Sequence, residues 1–160
     1  EGFTITTAGL TDRAGIACSG QSPEISGNII TGNKRSGIRL QNSEALIADN
    51  IISGNEAYAS DVGGGGIQIK SDQHKTVKIV GCLLEGNTAP YRSGGGLYAN
   101  ALGTIWMVNC TLRDNSADNK GGGVFTAGGA CRGSKRRRPL REHYSDIEDA
   151  ELPGHMQRRR

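Results

Sequence analysis

Apolar residues fall on alternate positions in a series of short words: Ile38/Leu40, Ile67/Ile69, Val77/Ile79 and Ile105/Met107. A period of two predicts half-buried β-strands, because successive side chains leave a strand on opposite faces. Gly and Asn break each word before a helix could complete its turns. The words themselves recur as a larger unit. GGGLYANALGTIWMVNCTLRDN at 94–115 is preceded by GGGIQIKSDQHKTVKIVGCLLEGN, SGIRLQNSEALIADNIISGN and AGIACSGQSPEISGNIITGN, and begins again as GGGVFTAGG. The first strand of each unit is expected to begin at Ile16, Ile38, Ile67, Leu97 and Val124, and the second to centre on Ile25, Ile47, Ile79 and Met107. The third carries Asn28/Ile30, Asn50/Ile52, Cys82/Leu84 and Cys110/Leu112, and each unit closes on Asn33, Asn55, Asn87 or Asn115. Steps between closing asparagines are 22, 32 and 28 residues, so the connections stretch while the strand words keep their spacing. Ile5 reads as the end of a further coil.

Three short strands per unit, each burying one face, cannot make a core alone. Stacking unit on unit closes that core and pairs every strand with its equivalent about 4.8 Å along the axis. Parallel strands joined by crossovers take the right-handed path. The expected fold is therefore all-β: a single-stranded, right-handed parallel β-helix of about four to five coils over 1–129, followed by a disordered basic tail over 130–160.

The glycine runs at 63–66, 94–96 and 121–123 precede the first strands, where positive φ or close backbone approach is needed. No Lys-Ser/Thr follows them, which sets aside a phosphate loop. The closing asparagines are expected to occupy sharp turns in the left-handed conformation and to hydrogen-bond along a stack. Asn28 and Asn50 form a second stack that Cys82 and Cys110 continue. In-register parallel strands hold Cβ atoms about 4.8 Å apart, wider than the 3.8 Å or so of a disulfide, which favours two buried thiols.

Composition sharpens this picture. Twenty-five glycines with 4% aromatics imply many tight turns around an aliphatic core. The net charge of +3 resides in the tail, since residues 1–129 hold ten Lys/Arg against eleven Asp/Glu. The repeats thus lack the basic surface of a nucleic-acid partner. KRRR at 135–138 and the final RRR read first as a solvated tail or as sequence foreign to the array, and only third as a nucleic-acid or nuclear-import patch. No apolar run approaches the roughly 18 residues of a membrane span.

With these words in hand, residues 2–129 resemble the right-handed parallel β-helix repeats of the pectin-lyase-like superfamily. The Gly-Gly strand followed by a Cys/Asn-x-Leu-x-x-Asn word is similar to repeats of polymorphic outer-membrane and adhesin-like bacterial surface proteins. The resemblance implies a secreted or cell-surface protein that contacts polysaccharide or a surface partner, without a cofactor. It also admits a polysaccharide lyase, glycoside hydrolase or uronate epimerase.

Outward positions of the first strands form two columns: Ala17, Arg39, Gln68, Tyr98, Phe125, and beside them Ser19, Gln41, Lys70, Asn100. Arg39, Gln41, Gln68, Lys70, Tyr98 and Asn100 are the candidate sugar face, through charge-assisted bonds and ring stacking. The acids Asp49, Asp61, Asp72, Asp114 and Asp118 share no column, and His74 has no Ser/Asp partners to form a triad, so no catalytic residue is assigned. A metal site is not expected either. Ile29, Ile51 and Leu83 fall on an outward position, an aliphatic stripe on the surface unless the alignment slips there.

Overall fold

The computed structural model describes residues 2–7, 13–58, 63–128 and 130–134. In it the sequence words become rungs. Strand β1 (Thr4–Ile5) ends one coil. The first complete coil is β2 (Ile16–Ser19), β3 (Glu24–Ser26) and β4 (Ile29–Thr31). The second is β5 (Ile38–Gln41), β6 (Ala45–Ala48) and β7 (Ile51–Ser53). The third is β8 (Ile67–Ser71), β9 (Thr76–Val80), β10 (Leu83–Glu85) and a short β11 (Thr88–Ala89). The fourth repeats this as β12 (Leu97–Ala101), β13 (Thr104–Val108), β14 (Thr111–Arg113) and β15 (Ser116–Ala117). Strands β16 (Val124–Ala127) and β17 (Ala130–Ser134) start a fifth.

Every pairing is parallel and links equivalent strands of neighbouring coils, which makes the protein a parallel β-solenoid. Three five-stranded sheets result, in the orders β16-β12-β8-β5-β2, β17-β13-β9-β6-β3 and β1-β4-β7-β10-β14. The register aligns Ile16, Ile38, Ile67, Leu97 and Val124 on one column and Ile25, Ile47, Ile79 and Met107 on another. Ile5, Ile30, Ile52, Leu84 and Leu112 make the third. Their side chains meet in one core, with Ile30, Ile38, Ile47, Ile52, Ile67, Ile79, Leu84 and Leu97 wholly buried.

The corners depend on two columns of left-handed backbone. Gly27, Asp49, Gly81 and Asn109 hold φ between 53° and 65° before the third strand, and Gly32, Gly54, Gly86 and Asp114 hold φ between 54° and 67° after it. The closing asparagines are not the left-handed residues, contrary to the sequence expectation. Each follows one, and the reversal it makes turns the Asn side chain inward. Asn33, Asn55 and Asn87 are fully buried, and Asn115 is half-buried. Asp49 likewise sits at a corner, directly after β6.

Two further differences have simple causes. The array continues to Ser134, past the boundary expected at 129. Cys131 and Gly133 take the register positions of inward Ile105 and Met107, while Arg132 takes that of outward Trp106. A basic stretch can therefore extend the ladder. Expectations for 135–160, including KRRR and RRR, lie outside the described residues. The fourth short strand was also missed: Glu56 bridges Thr88, β11 pairs β15, and Ala57, Ala89 and Ala117 pack as a small satellite core. Its signal is the Asn-x-Ala word that starts at Asn55, Asn87 and Asn115.

Candidate functional site

The two outward columns of the first sheet have different fates. Arg39, Gln68, Tyr98 and Phe125 are in register, but this column is packed. Gln68 has 0% exposure, and its Nε2 donates to the Gly63 carbonyl at 3.1 Å. Tyr98 is half-buried and stacks on Phe125, with ring centroids 5.6 Å apart and planes 18° from parallel. A Cβ on Gly63 would press into the Tyr98 ring, so the loop backbone lies against it. Gln68 and Tyr98 were expected to face solvent as sugar contacts. They instead form an inner layer beneath the glycine-rich loop, because glycine lets the backbone lie flat on the sheet.

The neighbouring column is open. Gln41, Lys70 and Asn100 share a register row, one per coil, and line a shallow groove of about 420 Å³ with Asn42, Ser71, Asp72 and Leu102. The sequence pointed to the first three as sugar contacts; Ser71 ends β8, and Asn42, Asp72 and Leu102 come from the turns between first and second strands. Asn42 holds φ at 49° and its Oδ1 accepts from the Asp72 N–H at 3.1 Å, tying one turn to the next. Ser71 Oγ donates to the Gln73 carbonyl at 2.9 Å and accepts from the Gln73 N–H at 3.1 Å. His74 Nδ1 lies 3.1 Å from the Leu102 carbonyl oxygen, which braces the same wall. The groove thus offers amides, a hydroxyl, one ammonium and one carboxylate on rigid rungs. Such a set can hydrogen-bond a polyhydroxylated ligand and meet an anionic group at Lys70.

Asparagines run the length of the opposite corner. Asn33 Nδ2 donates to Asn55 Oδ1 at 2.7 Å, Asn55 Nδ2 to Asn87 Oδ1 at 3.0 Å, and Asn87 Nδ2 to Asn115 Oδ1 at 2.9 Å. Each amide also donates to a main-chain carbonyl of the coil before: Ile30, Ile52 and Leu84 for Asn55, Asn87 and Asn115. In the second stack Asn28 Nδ2 lies 3.3 Å from Asn50 Oδ1. Cys82 and Cys110 then copy the Asn50 pattern: Asn50 donates to the Ile25 and Ala48 carbonyls, Cys82 to Ile47 and Val80, Cys110 to Ile79 and Val108. The hydrogen bond from the Cys110 thiol, with others from Asn50, holds the Cys82 thiol down to about 7 against the desolvation of burial. The same thiol–thiol bond, together with burial, pushes Cys110 up. Cys18, Cys82 and Cys110 are free thiols, and among the described residues no group of three or more His, Cys, Asp or Glu could hold a metal ion.

The outward stripe is real. Ile29 and Ile51 are each 43% exposed and Leu83 is half-buried, all in one register row of the third sheet. No helix among the described residues is long and apolar enough to cross a membrane.

Stacked parallel sheets around an aliphatic core, with an Asn ladder at the corner, define this chain as a β-solenoid protein. Residues 1–129 match the family described as "Protein of unknown function (DUF1565)", which is associated with β-helix proteins, and the chain belongs to that family. No curated protein and no solved structure matches the chain.

Proposed function

We propose that this chain is a non-catalytic run of coils from a secreted or cell-surface β-helix protein, contacting acidic carbohydrate through the groove on its first sheet. In this reading the fold belongs to the pectin-lyase-like superfamily, with repeats of the adhesin-like bacterial surface type. The observation that carries it is the row Gln41, Lys70, Asn100 beside Asn42, Ser71 and Asp72. Carboxamides both donate and accept, as sugar hydroxyls do, and the lysine ammonium suits a uronate carboxylate. Rungs fixed by the ladder present these groups with little ordering entropy left to lose on binding.

The test is calorimetric titration of the full chain with pectate and alginate oligomers. Binding that Lys70→Ala and Asn100→Ala abolish, and Glu24→Ala on the second sheet leaves intact, is the expected result. No binding to any acidic glycan on an array would refute the reading. Release of unsaturated uronate products would replace it with the polysaccharide-lyase alternative.

A further inference from the structure

We propose that Cys82 and Cys110 form a two-coordinate site for a soft monovalent metal cation of the copper(I)–silver(I) class. Adjacent rungs place the two side chains in one column, since Leu83 and Thr111, the residues after them, are register partners. The column is an amide stack that switches to sulfur at two successive coils, so that a thiol lies over a thiol. Their hydrogen bonds to carbonyls run from 3.4 to 3.6 Å. Such contacts are weak and restrain the thiol protons little.

The rung spacing selects the chemistry. At about 4.8 Å, parallel strands hold two Cβ atoms too far apart for an unstrained disulfide. Two metal–sulfur bonds of about 2.3 Å each, the length zinc shows with thiolates, span nearly that distance end to end. Thiolates are the soft ligands that select copper(I), whereas zinc demands four ligands, and the described residues assemble no group of three. Surrounding aliphatic residues, Ile47, Ile79 and Leu84 among them, exclude water from Cys82. Cys110, the half-buried member, provides the way in. On binding, each thiol releases its proton to solvent and two sulfur–metal bonds form; the ion stays monovalent and no electron is transferred.

The test uses the full chain carrying Cys18→Ser and Cys131→Ser, titrated with silver(I) nitrate in chloride-free buffer. One ion per chain, a near-ultraviolet thiolate–metal absorption band, proton release on binding and a higher thermal midpoint are expected. All four should be lost in Cys82→Asn and Cys110→Asn, which restore the side chain the column already carries at Asn50 and so retain the fold. Should either lose its β-sheet circular dichroism, Cys110→Ala at the half-buried position gives the same readings. Zinc(II) should leave the midpoint unmoved. Retention of silver by a folded Cys82→Asn chain, two ions per chain, or an equal response to zinc would overturn the proposal.

Discussion

Asn55→Ala tests the ladder that sets the corner. The Asn55 side chain donates to the Ile30 carbonyl at 2.9 Å and to Asn87 Oδ1 at 3.0 Å. It accepts from the Asn33 main-chain N–H at 3.1 Å and from Asn33 Nδ2 at 2.7 Å. Truncation leaves Asn87 Oδ1 its bond from the Asn55 main chain, and Asn33 Nδ2 its bonds to Thr31 and Ile5. The Asn33 N–H and the Ile30 carbonyl lose these side-chain partners. A buried polar group left unsatisfied costs roughly 1–3 kcal/mol, so the Asn33 N–H plus a small cavity amounts to about 2–4 kcal/mol. That is a large share of the roughly 5–15 kcal/mol that holds a domain together. Urea unfolding followed by circular dichroism and by the single tryptophan, Trp106, should show the midpoint falling steeply. Lys34→Ala, which removes a 2.6 Å ion pair to Glu56 between partly exposed side chains, should cost at most about 1 kcal/mol. An Asn55→Ala chain no less stable than Lys34→Ala would refute the ladder as a source of stability.

Neighbouring positions on the third sheet should respond oppositely: Ile51→Ser within about 0.5 kcal/mol of the parent chain and Ile52→Ala about 2–5 kcal/mol less stable, both by urea midpoint. Similar losses at the two sites would mean the register is wrong. Gly64→Ala combines a φ of 81° with a Cβ that would collide with the Ile67 carbonyl, so it should lose more than the roughly 1 kcal/mol of an ordinary Gly→Ala strain. Gly20→Ala, at φ 70° with open space around it, should lose less; thermal melts of the two variants decide this. Tyr98→Ala should destabilise the protein by about 3 kcal/mol or more through lost packing on Phe125, whereas Lys70→Ala should cost at most about 1 kcal/mol by thermal melt.

Much of the candidate site was legible one residue at a time and misleading in combination. Alternation placed Gln68 and Tyr98 outward, and outward they are relative to the sheet. Neither periodicity nor spacing shows that a glycine-rich loop folds back over them, since that depends on how flat the backbone at Gly63 can lie against a ring. Gln41, Lys70 and Asn100 escaped this fate by lying two residues farther along the strand. Their groove partners Asn42, Asp72 and Leu102 belong to turns of different length in each coil, so no repeat alignment brings them together. The Cys-for-Asn replacement was visible as a column, but the way sulfur reproduces the amide's donor bonds was not.

The sequence by itself determined the solenoid: a period of two within words, a longer period between them, and Gly or Asn at the corners leave stacking as the way to bury three narrow faces. It also determined which residues share a row, because row membership follows from counting along the chain. Only the tertiary structure decided which of two outward rows is covered, which corner residue takes the left-handed turn, and where the array's last described strand ends. Those outcomes turn on contacts between segments far apart in sequence, with clearances of a fraction of an ångström, and a linear pattern does not encode clearance.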